Sequence, residues 1–171
     1  MIHRYRIYNA AMPTTAAIAP VTTNTVIQTL LQLAVPATRA FQILAWGFTT
    51  DDVPGADGSI ELVDTGAIAA TVTAHAASGI IKLDSAVNGS LATLGVNATG
   101  FTGTAEGAIV ATRVLDTVRL SSTSAEYTKN PYEKEWPWHR IPTVASSQFL
   151  RVRCTTPTTG IAITTWIDWM E

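Results

Sequence analysis

The stretch from Gln148 to Glu171 has the most regular pattern in the chain and therefore constrains the fold most. Apolar and polar residues alternate on both sides of the segment TTPTTG, and the second arm, IAITTWIDWM, is rich in β-branched and aromatic residues. Such alternation is typical of half-buried strands, and Pro157 with Gly160 supplies a turn between them. The stretch therefore predicts a long C-terminal β-hairpin. Its expected core residues are Leu150, Val152, Cys154, Ile161, Ile163, Thr165, Ile167 and Trp169.

The opposite face of the second arm is also partly apolar. It carries Trp166 and Met170 beside Asp168. An apolar second face on a terminal strand needs cover from another element or from another subunit. The hairpin is thus a candidate for an oligomer interface as well as for the scaffold of the fold.

Earlier segments also have the composition of strands. Ile2–Tyr8 sets basic residues among apolar ones, which suits an edge strand or an arm that leaves the domain within residues 1–14. Phe41–Thr50 is mostly apolar on both faces, so we expect it in the middle of a sandwich or at a subunit interface. The other predicted strands are one or two short pieces in Thr14–Val26, then Thr25–Val35 (which also fits a helix), Ser59–Thr65, Ala70–Ala74 and Glu106–Leu120.

Together these elements predict a single all-β domain over residues 1–171. The expected fold class is an antiparallel β-sandwich or a jelly-roll-like barrel with a C-terminal β-hairpin. The least regular part, residues 75–107, is expected to be a long central loop or insertion, with possible short strands at 80–83 and 91–96.

The charge content bears on partners. Charged residues make up 14% of the chain, below the roughly 25% of typical soluble domains. Such a surface is either rigid and threonine-coated or covered by other subunits. A net charge of −2 without a basic stripe argues against nucleic acid. The apolar runs fall far short of the roughly 20 residues that cross a bilayer, and no secretory signal pattern is evident, so we expect no membrane partner.

The sequence contains no common catalytic motif. It has no glycine-rich phosphate loop, CxxC, HExxH or GxSxG. The three histidines are far apart, and Cys154 lies on an apolar strand face, which predicts a buried, unreactive thiol. The loop with Asp51, Asp52 and Asp57 does not match a calcium-binding pattern. We therefore expect no enzyme activity, no catalytic residues, no metal and no cofactor.

The segment Tyr127–Ile141 concentrates charged and aromatic residues around Pro131 and Pro137. It is expected to be a surface loop. Trp136 and Trp138 either serve as anchors for a partner or fold back to cap the core, since aromatic residues bury a large area at low entropic cost.

Seven segments, spread in order along nearly the whole chain, resemble a group of small tailed-phage virion proteins described as capsid-decoration, cement or minor capsid proteins. They are residues 7–11 (IYNAA), 29–36 (TLLQLAVP), 43–48 (ILAWGF), 69–75 (AATVTAH), 106–113 (EGAIVATR), 136–140 (WPWHR) and 149–157 (FLRVRCTTP).

The resemblance implies a structural protein on the outside of a phage head. Its partners would be the major capsid protein and further copies of itself, as a homotrimer, and it would be made in the cytoplasm of the bacterial host. Two alternatives remain open: a tail or receptor-binding module, and a carbohydrate-binding β-sandwich. The residues that we expect to contact partners are Arg4, Tyr5, Tyr132, Trp136, Trp138, His139 and Trp166.

Overall fold

The computed structural model describes residues 3–12, 15–38, 41–106, 113–122, 148–156, 158 and 160–171. Within these ranges the chain is all-β, as predicted, with one 3-10 turn at Ala77–Gly79. The strands are β1 (Arg4–Tyr8), β2 (Val21–Thr22), β3 (Gln28–Ala34), β4 (Gln42–Thr50), β5 (Gly58–Asp64), β6 (Thr71–Ala74), β7 (Ile80–Lys82), β8 (Gly100–Ala105), β9 (Arg113–Leu120), β10 (Phe149–Thr155) and β11 (Ala162–Met170).

The strands form two antiparallel sheets. In the five-stranded first sheet, β4 pairs with one edge of β11. Along the other edge of β11 lie β1 and then β2, and β7 pairs with the far edge of β1. The six-stranded second sheet has the order β6-β8-β3-β10-β5-β9.

One hydrophobic core lies between the sheets. Both sheets contribute because alternate residues of each strand point to the same face. The buried apolar residues of this cluster are Tyr5, Ile7, Leu30, Leu31, Leu33, Phe41, Ile43, Trp46, Phe48, Ile60, Leu62, Ile80, Ala92, Val118, Leu120, Leu150, Val152, Cys154, Ile161, Ile163, Ile167 and Trp169.

The predicted C-terminal β-hairpin is wrong in its pairing. Both strands lie where the alternation places them, and their predicted core residues are all buried. However, β10 pairs with β3 and β5 in the second sheet, whereas β11 pairs in the first. The segment after β10 crosses the sandwich, whose sheets typically lie about 10 Å apart. Alternation identifies the face that a strand buries, but it does not identify the neighbouring strand.

The prediction of two apolar faces on β4 is also wrong. Trp169 pairs with Ile43 and Asp168 pairs with Ala45, so that Leu44 is an extra residue in the ladder. This β-bulge shifts the alternation, as an inserted residue must. The large apolar side chains on both sides of the bulge therefore reach the same core, namely those of Phe41, Ile43, Trp46 and Phe48.

The opening strand and the long loop differ from expectation as well. β1 lies between β11 and β7, so it is an interior strand and not an edge strand. Within residues 75–107, β7 confirms the predicted strand at 80–83, residues 91–96 form none, and β8 was not predicted. β8 contains two glycines, at positions 100 and 103, where an added Cβ would clash with the backbone of Thr73 and with Thr29. Because glycine has no side chain, these positions add nothing to an apolar alternation, and the sequence pattern of β8 is weak.

Candidate functional site on the outer face of the first sheet

Three of the seven predicted contact residues lie in the described part of the chain. Arg4 is exposed, and Trp166 is half-buried on the outer face of the first sheet. Tyr5 is buried in the core, where its ring stacks on Trp169 and its hydroxyl donates to the carbonyl of Asn88 at 2.9 Å. Tyr5 is therefore a core residue and not a surface contact. Tyr132, Trp136, Trp138 and His139, with the rest of the segment Tyr127–Ile141, lie outside the described residues.

The pairing of β1 with β11 brings a row of polar and aromatic side chains together on this outer face. Arg6 is opposite Asp168, and Tyr8 is opposite Trp166. The rings of Tyr8 and Trp166 lie 6.4 Å apart at a 52° tilt. The apolar second face predicted for the last strand is therefore partly covered from within the chain.

An ion pair lies at the centre of this face. The Nε and Nη2 atoms of Arg6 donate to the two carboxylate oxygens of Asp168 at 2.6 and 2.7 Å, which is the bidentate geometry. The Arg6 guanidinium also lies 5.9 Å from the centre of the Tyr8 ring. Although it is on the outer face, Asp168 is fully buried. This ion pair links β1 to β11, and its two charges compensate each other.

The outer face of the second sheet contains a second buried charge, which the sequence did not indicate. Arg151 is fully buried, and burial lowers its pKa while Glu106 opposes that effect. Its Nε donates to Oε1 of Gln32 at 2.9 Å, and its Nη1 donates to a carboxylate oxygen of Glu106 at 3.1 Å. Its Nη2 donates to the carbonyl of Ile68. One guanidinium thus ties three separate parts of the chain to β10.

Gln32 extends this network to the loops that cover the second sheet. Its amide group donates to the carbonyl of Ala98 at 2.7 Å and accepts from the backbone N–H of Ala70 at 2.8 Å. Thr29 donates to the carboxylate of Glu106. Buried polar groups are costly unless they are hydrogen-bonded. This set of contacts therefore fixes the position of the segment at Ala70 and of the segment at Ala98 over the second sheet.

His75 is buried at the crossover from the second sheet to the first. Its ring contacts Phe101 edge-on at 4.8 Å between centres. The carbonyls of Tyr8 and Ala10 are near enough to favour the charged ring, but neither makes a regular hydrogen bond to a ring nitrogen. Burial is the larger influence, and it lowers the pKa of His75.

Acid is therefore expected to destabilise the fold through His75. Its pKa is lower in the folded chain than the usual 6.5, so the unfolded chain binds more protons as the pH falls through that value. Stability is retained above pH 6.5 and is lost below it, at up to about 1.4 kcal/mol per pH unit. Urea unfolding of the wild type and of His75→Gln between pH 7.5 and 5 measures this loss. Equal slopes in the two proteins would refute the assignment.

Burial sets the protonation of Cys154, and a hydrogen bond affects Asp57 in the acidic loop. Cys154 is buried as predicted, and burial raises its pKa to about 12, which keeps the thiol protonated. Asp57 accepts a hydrogen bond from the backbone N–H of Ser122 at 2.9 Å, and this bond lowers the pKa of Asp57. Among the described residues, no three His, Cys, Asp or Glu side chains are grouped as metal ligands would be.

Asn9 follows β1 and continues its pairing with β11. Its side chain donates to the carbonyl of Ile163 at 2.9 Å and accepts from the N–H of Thr165 at 2.8 Å, while its own N–H bonds to the carbonyl of Thr165. The amide side chain thus takes the place of a missing strand residue beside β11, and it is fully buried.

Asn9→Ala is expected to destabilise the protein by about 2 kcal/mol, because it leaves a buried N–H and a buried carbonyl of β11 without their bonds. Asn24→Ala is the matched control, since the Asn24 side chain caps an exposed turn, and we expect it to cost about 0.5 kcal/mol. Chemical denaturation of the three proteins measures both. Similar losses in the two variants would contradict this role of Asn9.

Comparison with known proteins does not extend this description. No protein-family model matches the chain, and no curated protein and no solved structure matches it either. In the described part of the chain, no helix is both long enough and apolar enough to cross a membrane.

Proposed function

We propose that this chain is a structural virion protein that binds the outside of a tailed-phage head as a homotrimer and stabilises the shell. The sequence resemblance along nearly the whole chain supports this proposal, and the all-β fold is compatible with it. The strongest structural support for it is the composition of the surface. A chain with so few charges is expected to be covered by partners, and four of the nine large apolar side chains that are exposed among the described residues lie in one loop.

This loop connects β7 with β8. It carries four large apolar side chains that are exposed, and we call this set the apolar loop surface: Leu83, Leu91, Leu94 and Val96. The loop is held in position by backbone bonds to both sheets, from Leu83 to Arg4 and from Thr93 to Ala34. A fixed loop that presents apolar side chains suits a protein partner, because its backbone adds little ordering cost on binding.

The internal ion pairs suit the same role. Arg6 with Asp168 and Arg151 with Glu106 tie strands and loops together from the two outer faces. A shell-stabilising protein acts by linking neighbouring shell subunits, and a stiff link transmits that restraint. Three copies on one site raise the avidity well above that of a single contact.

The carbohydrate-binding alternative finds less support in the tryptophans. Trp46 and Trp169 are fully buried in the core. Trp166 is half-buried and packs beside Tyr8. The two buried rings, Trp46 and Trp169, offer no open face on which a sugar could stack.

The proposal is tested by sedimentation with phage heads. Heads formed by the major capsid protein of the phage that, on this proposal, encodes the chain are mixed with the purified protein and pelleted. We expect saturable co-sedimentation in multiples of three copies and a higher temperature of head disruption. A folded protein that stays in the supernatant at every concentration would refute the proposal. Trp136→Ala with Trp138→Ala tests the predicted aromatic contact, and unchanged binding would remove those residues from it.

A further inference from the structure

The loop between β7 and β8 contains an asparagine that directly precedes a glycine, Asn88 before Gly89. Asparagine is one of the chemically labile residues of proteins, because the backbone nitrogen of the following residue can attack its side-chain amide carbon. That attack requires an accessible amide, a following residue without a bulky side chain, and a following N–H that is not already hydrogen-bonded. The asparagines of this chain differ in these three respects.

Asn88 meets all three requirements. It is exposed, and within the described part of the chain neither its side-chain amide nor the N–H of Gly89 has a hydrogen-bond partner. A Cβ built on Gly89 would meet no atom within 4 Å, so the space around the attacking nitrogen is open. Glycine also has the backbone freedom that closing a small ring demands.

Asn97 lies in the same loop and provides an internal comparison. It is exposed, as Asn88 is, but it precedes the buried Ala98. The N–H of Ala98 bonds to the carbonyl of Gly95 at 3.0 Å. The nitrogen that would attack Asn97 is therefore hydrogen-bonded, buried and next to a Cβ.

The remaining asparagines are protected in other ways. Asn24 precedes a β-branched threonine, and its side-chain oxygen accepts a backbone N–H at 2.9 Å. Asn9 is fully buried, and both its side-chain donor and its acceptor are used. Asn130 precedes Pro131, which has no N–H to lose. Reactivity is thus concentrated at Asn88.

The hydroxyl of Tyr5 contacts the peptide group between Asn88 and Gly89. It donates to the backbone carbonyl of Asn88 at 2.9 Å, and the Tyr5 ring is held in the core by stacking on Trp169. A hydrogen bond to a carbonyl polarises the peptide group, which makes the N–H of the same group more acidic. That N–H belongs to Gly89, and its nitrogen attacks only after it loses this proton.

We infer that Asn88 is a site of self-modification, at which the folded chain converts this residue to isoaspartate. The Gly89 nitrogen gives its proton to water, bonds to Cγ of Asn88 and displaces the side-chain nitrogen, which leaves as ammonia. Water then adds to the former backbone carbonyl of Asn88 in the resulting succinimide, and the bond from that carbon to the Gly89 nitrogen breaks. The Tyr5 hydroxyl directs water to this carbonyl because it polarises it.

The product differs from the original loop in length and in charge. The main chain then passes through Cβ and Cγ of Asn88, so it is one carbon longer, and the former carbonyl becomes a free carboxylate. This carboxylate takes the place of the carbonyl beside the Tyr5 hydroxyl, where the hydrogen bond becomes charge-assisted. The formal net charge of the chain, −2 before the reaction, becomes more negative by one unit.

Peptide mapping of the folded protein after storage in mildly alkaline buffer tests this inference. We expect Asn88, but not Asn97, to become an acid that an isoaspartate-specific methyltransferase labels. Gly89→Ala adds a Cβ in open space, so it should fold normally and slow the conversion by about tenfold or more. An Asn88 that stays an amide, or equal conversion at Asn97, would overturn the inference.

Tyr5→Phe tests the contact with the hydroxyl. Loss of this one hydrogen bond should slow the conversion in the folded chain by about threefold to tenfold and lower the share of isoaspartate in the product. In urea, where the contact is absent, wild type and variant should react at equal rates. Equal or faster conversion of the folded variant would refute the role of Tyr5. None of these results depends on whether the protein binds phage heads.

Discussion

Arg151→Met is expected to destabilise the protein by about 3–5 kcal/mol, the range for breaking a buried ion pair by removing one partner. The substitution keeps much of the side-chain volume but removes the donors to Glu106, Gln32 and the carbonyl of Ile68. The Glu106 carboxylate loses its ion-pair partner, and buried acceptors lose their bonds. Equilibrium unfolding in urea measures the loss.

Arg153→Met provides the matched control on the same strand and the same face. Arg153 pairs with Glu61 at 2.7 Å, but the two side chains retain 16% and 23% exposure, so water compensates part of the loss. We expect this variant to lose about 1 kcal/mol, near the upper end for accessible pairs. Hydrogen exchange should also rise at Ala70 in Arg151→Met only. Equal losses from the two variants would refute the central place of Arg151.

Arg6→Met is expected to lower the free energy of unfolding by about 2–4 kcal/mol, since it removes two charge-assisted hydrogen bonds from a fully buried carboxylate. The Arg6 side chain is 26% exposed, whereas that of Arg151 is fully buried, so we expect a loss below that of Arg151→Met. The loss should shrink when Asp168→Asn is added, because the neutral amide no longer needs a cation. A double-mutant cycle measures this coupling.

Arg4→Met is the control for Arg6. Arg4 lies on the same face of β1 and pairs with Asp84 at 3.4 Å, but these side chains are 55% and 40% exposed. Exposed pairs contribute about 0–1 kcal/mol, so we expect a loss below 1 kcal/mol. If Arg4→Met cost as much as Arg6→Met, burial would not be what makes the inner pair important.

The sequence predicted which segments form strands much better than it predicted which strands pair. The core face of β11, from Ile161 to Trp169, is as the alternation predicts, because side chains must alternate along any strand with one buried face. The predicted hairpin is wrong, because β10 lies in the second sheet and β11 in the first. Each strand buries one face in the same core. The local pattern is the same in both arrangements.

The β4 strand shows a second limit. A single extra residue at Leu44 moves Trp46 and Phe48 to the face of Phe41 and Ile43. No local signal marks this bulge, because its position is set by the ladder with β11. The sequence therefore indicated a strand with two apolar faces, whereas the structure has one.

The buried charges could not be predicted for a similar reason. Arg151 and Gln32 are adjacent only because β10 pairs with β3, and Arg6 meets Asp168 only because β1 pairs with β11. Arginine between apolar residues in a strand usually points to solvent, which is how β1 was interpreted. Its interior position required knowledge of both neighbouring strands.

Only some of the predicted contact residues that the structure describes lie at the surface, and the reason is again the position of each residue on its strand. Tyr5 was grouped with Arg4 as a surface residue, but the period of two places them on opposite faces of β1, and Tyr5 lies in the core. Trp166 and Met170 lie on the outer face of β11, as predicted. The role of each in binding stays a prediction.

Cryo-microscopy of phage heads with and without this protein tests the proposed function most directly. We expect added density on the outer surface of the shell, in three-fold sets of β-sandwiches, and its loss from heads made without the protein. Density inside the shell or on the tail, or identical maps of the two kinds of head, would contradict it.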